Sequence, residues 1–270
     1  MKIGTAREKL SIVLCAALLA ACGRPQAPPK PADGDAIPHL GPPGAAASLF
    51  PAPSRPVADI VTDTWSSEDT RDRAGEADTV MRLLEVRPGM RVADVGAGSG
   101  YYTVRVSPVV GPGGRVIAQD IVPRYLERLR GRVRREGLAN VTLALGEPHD
   151  PRLPRASADL VLLVHMYHEV EQPYAFLHNL RPALREGGRV AVVDLDRPTH
   201  RHGTPPALLR CEMEATGYRQ SAFHDLGPES GYLAVFTPTG TAPRPADVRA
   251  CPAASSTARS PTTPRDSARR

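Results

Sequence analysis

The sequence predicts an α/β domain in which a mostly parallel sheet is covered by helices on both faces. Between residues 57 and 238, short β-branched or apolar runs alternate with helix-like runs, and this alternation favours parallel strands joined through helices. Glycines separate most of the runs as turns or helix ends. Leu160–Val164 is apolar on both pleat faces, as expected for a central strand buried on two sides.

Seven runs are predicted as strands: Arg91–Val95, Val116–Asp120, Val141–Leu145, Ala158–Val164, Val190–Leu195, Tyr218–His224 and Tyr232–Thr237. Five runs are predicted as helices: Ala74–Glu85, Tyr101–Val110, Pro123–Glu136, Pro173–Glu186 and Pro206–Thr216. The glycines that punctuate them are residues 89, 113, 114, 137, 187, 188 and 217. No helix lies between the last two strands, so we expect them to be neighbours joined by a loop.

A glycine-rich turn, residues 94–100 with the sequence Asp-Val-Gly-Ala-Gly-Ser-Gly, connects the first predicted strand with the helix that starts at Tyr101. Glycines let the backbone approach a ligand closely, and the helix N-terminus offers free N–H groups to it. The spacing is G-x-G-x-G with an acid two residues before the first glycine. It therefore differs from the G-x-G-x-x-G fingerprint of dinucleotide-binding proteins.

A second acid, Asp120, ends the next predicted strand and lies twenty residues after Gly100. That distance matches one helix, a turn and the neighbouring strand. A carboxylate there can accept two hydrogen bonds from the vicinal hydroxyls of a ribose. Because NAD-binding folds use such an acid too, Asp120 predicts a nucleoside ligand without identifying it.

The pattern Asp-x-Gly-x-Gly-x-Gly at 94–100 resembles motif I of the class I S-adenosylmethionine (SAM) dependent methyltransferases. The resemblance implies a Rossmann-like seven-stranded sheet, mostly parallel with an antiparallel last strand, and the hairpin at its end is absent from a standard dinucleotide fold. Residues 184–194 also resemble the helix-to-strand passage of this family. SAM is the implied cofactor, and the implied cofactor-binding residues are Asp94, Gly96, Ala97, Gly98, Gly100, Asp120, Ile121 and Glu147. Glu147 stands where the family usually has Asp to meet the adenine amino group, and Asp150 is its rival for that role.

Residues 165–170, His-Met-Tyr-His-Glu-Val, follow the fourth predicted strand, where this family places groups near the transferred methyl. His165 and His168 are candidate bases near neutral pH if the acceptor loses a proton. Alternatively, either histidine caps the strand end or packs beneath the next helix. His168-Glu169 begins like a metalloprotease H-E-x-x-H motif, but residue 172 is Gln, so no metal site is predicted.

In related methyltransferases the N-terminal segment folds over the cofactor and contributes to the acceptor pocket. By that resemblance, Trp65 and Tyr102 are candidates to line the pocket. The alternative for Trp65 is that it only anchors its segment to the core.

Residues 1–21 are predicted to be a signal peptide, because basic residues precede the twelve-residue apolar run Leu10–Ala21. That run is too short to cross a bilayer core of about 30 Å. Leu19-Ala20-Ala21-Cys22 resembles the lipobox of bacterial lipoproteins, which implies cleavage before Cys22 and its lipidation; an ordinary secretory signal is the alternative. Gly23 is not the aspartate associated with inner-membrane retention, so an envelope protein anchored at the outer membrane is slightly preferred.

The remaining divisions follow from composition. Residues 22–56 are rich in Pro and Ala and are expected to form a disordered tether, residues 57–238 the methyltransferase domain, and residues 239–270 a disordered basic tail. Residues 23–238 carry a net charge of −1, so no nucleic-acid partner is predicted. Cys211 is expected to be a buried thiol, with a disulfide to Cys251 as the alternative.

The expected function is a membrane-anchored, SAM-dependent methyltransferase that acts on a small-molecule acceptor. SAM is made in the cytoplasm whereas the lipobox implies export, so one alternative is a non-catalytic envelope lipoprotein that binds SAM or another nucleoside. The other alternative is an NAD(P)-dependent oxidoreductase.

Overall fold

A computed structural model of the chain describes residues 36–60 and 67–252. The predicted signal peptide, Cys22 and Trp65 lie outside these residues. The strands are β1 (Arg91–Val95), β2 (Arg115–Asp120), β3 (Val141–Leu145), β4 (Ala158–Val164), β5 (Leu184–Asp194), β6 (Tyr218–Gly227) and β7 (Gly231–Pro238). The helices are α1 (Glu68–Arg73), α2 (Glu76–Leu83), α3 (Tyr101–Val110), α4 (Pro123–Arg135), α5 (Pro173–Leu180) and α6 (Pro206–Ala215). Among the helices in the described ranges, none is both long and apolar enough to cross a membrane.

The seven strands form one sheet in the order β3-β2-β1-β4-β5-β7-β6. The pairs among β1 to β5 are parallel, and β7 is antiparallel to both of its neighbours, β5 and β6. The predicted fold class, a Rossmann-like sheet that ends in an antiparallel hairpin, is confirmed. The order reverses between β1 and β4, and in open α/β sheets a ligand crevice forms at such a point, outside the carboxyl ends of the strands.

The core lies on both faces of the sheet. Val161 and Leu163 of β4 belong to one buried cluster, together with Leu177 of α5. Leu160 and Leu162 alternate with them and belong to a second cluster on the opposite face. The prediction that β4 is a central strand buried on two sides is therefore confirmed.

Two predicted helices were wrong at their ends. The run Ala74–Glu85 extends two residues beyond α2 at each end, because Gly75 adopts a left-handed conformation (φ 63°) and α2 begins only after it; α1, which precedes Gly75, was not predicted. The run Pro173–Glu186 is too long, because α5 ends at Leu180 and β5 already begins at Leu184. Pro182 lies in the 3-10 turn between them, where it cannot donate a helical hydrogen bond and disfavours helix at the preceding residue.

Residues 37–56 pack on the domain, although we expected them to belong to a disordered tether. Phe50 is buried in a cluster with Tyr174, and the guanidinium of Arg55 pairs with the Glu212 carboxylate at 2.9 Å with both side chains buried. The Leu145 N–H also donates to the Pro38 carbonyl. One buried aromatic ring and one paired arginine supply the contacts that a Pro/Ala-rich composition did not predict.

Residues 239–252, which follow β7, also pack on the domain. Cys251 is buried and forms a disulfide with Cys211 of α6, with their Cα atoms 6.0 Å apart. The Cys251 N–H donates to the Tyr174 hydroxyl at 2.7 Å. The expectation of a free thiol at Cys211 was therefore wrong, and residues 239–252 differ from the disordered tail that their composition suggested.

Candidate functional site

A cavity of about 280 Å³ opens at the carboxyl ends of β1, β2 and β4. Seven of the residues that were expected to bind the cofactor line this cavity: Asp94, Gly96, Ala97, Gly98, Asp120, Ile121 and Glu147. His165, His168 and Tyr102 line it as well. The fold thus brings together groups that are as much as 74 positions apart in the sequence, from Asp94 to His168.

The glycine turn forms one wall of this cavity through its backbone. Gly96, Gly98 and Gly100 all have positive φ (71°, 53° and 87°), a conformation that other residues adopt only with strain. A Cβ atom on Gly96 would lie 2.8 Å from the Met166 side chain, so the turn also requires close approach there. Gly100 does not line the cavity; it caps α3 and packs against Leu129.

The two acids predicted from the motif are both buried. Asp120 accepts the Gly98 N–H at one carboxylate oxygen and the Val122 N–H at the other, each at 2.9 Å. Burial raises the pKa of Asp120 despite these bonds. Asp94 accepts the Thr103 hydroxyl at 2.6 Å, and burial raises its pKa to about 6.

Of the two acids weighed for the adenine end, only Glu147 borders the cavity. Its carboxylate is partly exposed and accepts a hydrogen bond from Arg152 at 2.7 Å. Asp150 is buried and accepts the backbone N–H groups of Gly44 and Arg152. Asp150 therefore holds the N-terminal segment against the domain.

A buried ion-pair network stands beside His165. The Glu76 carboxylate at the start of α2 lies 3.1 Å from His165 Nε2 and accepts hydrogen bonds from Arg71 (2.6 Å) and the Tyr102 hydroxyl (3.1 Å). Burial alone would raise the pKa of Glu76, but His165 and Arg71 outweigh it and lower the pKa to about 2. The Nδ1 atom of His165 is buried and has no hydrogen-bond partner among the described residues.

Sequence reasoning missed Arg71 and Glu76. Both lie in charged stretches that a solvent-exposed helix would also show, and only the tertiary structure, which places Arg71 at the cavity and Glu76 beside His165, gives them a role. His165 itself has a positive φ of 50°, an uncommon conformation for this residue type. Such local strain is frequent at binding and catalytic sites.

The second candidate histidine, His168, is held by the carboxylate of Asp194. Its Nδ1 lies 3.0 Å and 3.2 Å from the two carboxylate oxygens of Asp194, the last residue of β5. Asp194 has no exposed surface and also accepts the Thr204 hydroxyl at 2.7 Å and the Leu195 N–H at 2.8 Å. The histidine ring is therefore fixed in orientation where it meets the cavity.

Comparison with known proteins identifies the family. Residues 87–230 match the methyltransferase domain family. Among curated proteins, the protein-L-isoaspartate O-methyltransferase of Methanopyrus kandleri is 31% identical over 48% of this chain and 63% of its own length. The ubiquinone/menaquinone biosynthesis C-methyltransferase UbiE of Shewanella frigidimarina is 29% identical over 44% of this chain and 48% of its own. The chain thus spans about half to three fifths of the curated relatives it matches.

Solved structures share the fold. A SAM-dependent methyltransferase from Aquifex aeolicus has a TM-score of 0.54 at 20% identity, covering 63% of this chain and 97% of that one. The pyocyanin biosynthetic protein PhzM has a TM-score of 0.52 at 21% identity, covering 60% of this chain and 54% of that one. The family match includes the glycine turn, Asp120 and both candidate histidines. This chain belongs to the methyltransferase domain family, whose cofactor is SAM.

Proposed function

We propose that this protein is a SAM-dependent methyltransferase for a small-molecule acceptor and that a lipid on Cys22 anchors it to the cell envelope. The observation that carries the catalytic part is a single cavity that is lined by the glycine turn, by Asp120 and by His165, whose Nε2 lies 3.1 Å from the Glu76 carboxylate. Binding groups and a candidate base therefore face the same space.

The residues around the cavity fit SAM. Each Asp120 oxygen accepts one backbone N–H and keeps lone-pair capacity for a ribose hydroxyl. Gln119 also lines the cavity, and its Oε1 is buried without a hydrogen-bond partner among the described residues, as expected of an acceptor that a ligand donor would satisfy. We assign Asp120 to the ribose and Ile121 and Glu147 to the adenine end of SAM. The backbone of Gly96, Ala97 and Gly98 is assigned to close contact with the cofactor.

Bound SAM supplies a methyl group on a positively charged sulfur. The protein then has to align the acceptor and, where the acceptor loses a proton, to take that proton up. His165 suits this role because Nδ1 is unpartnered while Nε2 is fixed by Glu76. Arg71 and Tyr102 hold the Glu76 carboxylate in place, so the ring is oriented before the acceptor arrives.

The lining and size of the cavity support a small acceptor with an apolar part. Val164, Met166, Val170 and Phe176 contribute apolar surface next to the histidines. The cavity measures about 280 Å³, just below the span of about 300–1,000 Å³ for small-molecule sites, and it has to hold SAM as well as the acceptor. The curated relatives include enzymes named for protein isoaspartate and for quinone biosynthesis, and this cavity favours the second kind of acceptor.

The disulfide between Cys211 and Cys251 supports export, because disulfides persist mainly in oxidising compartments. It also favours a second candidate function, since SAM is made in the cytoplasm. In that alternative the protein binds SAM or a related nucleoside at the envelope without turnover. Transfer of labelled methyl from SAM to small thiol, amine or quinone-like acceptors, or to envelope extract, supports the enzyme; binding without any transfer supports the alternative.

The first experiment is calorimetry of the purified full chain with S-adenosylhomocysteine. Asp120→Ala should weaken binding by more than about tenfold, because it removes charge-assisted hydrogen bonds of about 1.5–3 kcal/mol. Asp159→Ala is a matched control, since that carboxylate pairs with Arg185 away from the cavity and should leave affinity unchanged. Binding of NADH but not of S-adenosylhomocysteine would contradict the proposal and favour an oxidoreductase.

A further inference from the structure

Three potential metal ligands converge in the loops that follow β4 and β5. His168 and Glu169 lie in the 3-10 turn after β4, and His202 ends the 3-10 turn after β5. Each offers one ligand atom, and these atoms all lie within 4.8 Å of one another. Because β4 and β5 are parallel neighbours, their carboxyl ends meet at the same edge of the sheet.

In this cluster His202 supplies the second histidine that the sequence motif lacks. In an H-E-x-x-H motif the second histidine follows on the same helix, and Gln172 occupies that position here. The fold brings His202 to the cluster instead, from 34 residues further along the chain than His168. Spacing along one helix could not have revealed it.

A second, independent observation that favours a metal site is the hydrogen bond between Asp194 and His168. This fully buried carboxylate accepts from His168 Nδ1, so the ring orientation is fixed and Nε2 is left as the ligand atom of His168. A carboxylate behind the far nitrogen is the usual partner of a metal-ligating histidine, since it sets the tautomer and raises the basicity of the ligand atom. The Thr204 hydroxyl and the Leu195 N–H hold Asp194 in turn.

The backbone at His202 is consistent with a positioned ligand. Its φ of 57° is left-handed, which is uncommon outside glycine, and such strain concentrates at ligand clamps. The rings of His168 and His202 are perpendicular, with centroids 5.5 Å apart. The two imidazoles thus approach without stacking face to face.

We propose that His168, Glu169 and His202 bind one divalent transition-metal ion, with Zn²⁺ the best match to two imidazoles and one carboxylate. Three protein ligands leave at least one coordination position open. His168 and Glu169 line the cofactor cavity, so an ion that they held would lie beside the space where the acceptor is expected. The role for the ion, which rests on the proposed function, is to hold an oxygen, nitrogen or sulfur atom of the acceptor.

The test is titration of the full, metal-stripped chain with Zn²⁺ alone, followed by calorimetry and by metal analysis after gel filtration. Wild type should bind one Zn²⁺ per chain. His202→Asn keeps a side chain that tolerates left-handed backbone but removes the imidazole, and it should lower Zn²⁺ affinity at least about 100-fold. Asp194→Asn should lower it about 10–100-fold, as expected for the partner behind a ligating histidine.

His200→Ala is the matched control, because His200 is an exposed histidine in the same 3-10 turn. It should bind Zn²⁺ like wild type. Substitution with Co²⁺ should also give visible absorption bands in wild type and in His200→Ala but not in His202→Asn. Zn²⁺ bound equally by all variants, or by none including wild type, overturns the proposal.

Binding of S-adenosylhomocysteine, measured on the same samples, distinguishes this proposal from the proposed function. Retained binding in His202→Asn shows that the variant is folded. Binding of S-adenosylhomocysteine without any Zn²⁺ overturns the metal site and leaves the methyltransferase proposal intact. Zn²⁺ binding without S-adenosylhomocysteine binding supports the site and contradicts the methyltransferase proposal.

Discussion

Asp94 and Asp120 are buried at the same cavity, yet their surroundings give them different properties. Asp120 accepts the backbone N–H groups of Gly98 and Val122, whereas the hydrogen bonds to Asp94 come from Thr103, through its hydroxyl and its backbone N–H. Backbone donors stabilise a carboxylate charge, and burial opposes it. The balance leaves the pKa of Asp94 at about 6, above the ordinary value of an aspartate. Asp94 is therefore a group whose charge depends on both pH and ligand.

The affinity for S-adenosylhomocysteine should rise with pH through this pKa. Below about pH 6 Asp94 is protonated, and above it we expect the carboxylate, which lines the cavity, to attract the ammonium group of the ligand. Affinity should therefore fall by up to about tenfold for each pH unit below 6. Calorimetry between pH 4.5 and 8 checks this, and Asp94→Asn should remove that dependence. Identical pH profiles for the two proteins would exclude Asp94 as the titrating group.

His165→Gln should lower the rate of methyl transfer to envelope extract or to an identified acceptor by about 10²-fold or more, the usual contribution of a general base. Its affinity for S-adenosylhomocysteine should stay within about twofold to threefold, because His165 is assigned to the proton and not to the cofactor. His149→Gln serves as the control, because His149 lies beside Glu147 and is not the proposed base. An unchanged rate in His165→Gln would remove the base from the proposed mechanism.

The residues predicted from sequence at the cavity are those whose role is local. The glycine turn and Asp120 belong to one strand-turn-helix-strand unit, so spacing along the chain could locate them. Glu76 and Gln119 become candidates only in the tertiary structure. Glu76 lies beside His165 once α2 has packed, and Gln119 has a buried side-chain oxygen without a hydrogen-bond partner among the described residues. No pattern in the chain marks either of them.

At the scale of elements, the predicted bounds of most strands and helices agree closely with the structure, and the exceptions are β5, which begins six residues earlier than predicted, and the helices near Gly75 and Pro182. The bounds of β1, β3 and β4 agree with prediction at every residue, since apolar runs that end at glycine or polar residues define a buried strand well. The bounds of α2 and α5 differ from prediction because a single residue, Gly75 or Pro182, overrides the pattern around it, and α1 was not predicted. The disulfide between α6 and the chain after β7 could not be predicted from two isolated cysteines.

That disulfide ties residues 239–252 to α6 and should contribute to stability. The cysteines are 40 residues apart, and closing a loop of that length removes about 3–4 kcal/mol of unfolded-state entropy. We expect the free energy of unfolding of the Cys211→Ser, Cys251→Ser double variant to be lower by about 3–4 kcal/mol, so that it unfolds at a lower denaturant concentration than wild type. Wild type in reducing agent should match it, and equal midpoints for wild type with and without reductant would show that the bond does not form.

At the scale of the whole molecule, the packed part of the chain is longer than composition indicated. Phe50 and Arg55 attach the N-terminal segment, and Cys251 attaches the C-terminal one. Both attachments converge on α5 and α6, through Tyr174 and Glu212, on one face of the sheet. The sequence could not show this, because the anchoring residues are few and are surrounded by Pro, Ala and Gly.

The proposed location also belongs to this scale, because it determines whether SAM is available. If Cys22 is lipidated, labelled palmitate should enter the protein, and Cys22→Ala should remain unprocessed or leave the membrane fraction. Cys15→Ala is the matched control, since residue 15 is expected to be removed with the signal peptide and should not affect labelling. Two or more acyl chains anchor a protein stably, at about 0.8 kcal/mol per buried methylene, whereas a single chain does not. Full-length protein found in the cytoplasm with residues 1–21 intact and Cys211 reduced would contradict the anchor. It would also remove the main objection to an active enzyme, because the site would then lie in the compartment where SAM is made.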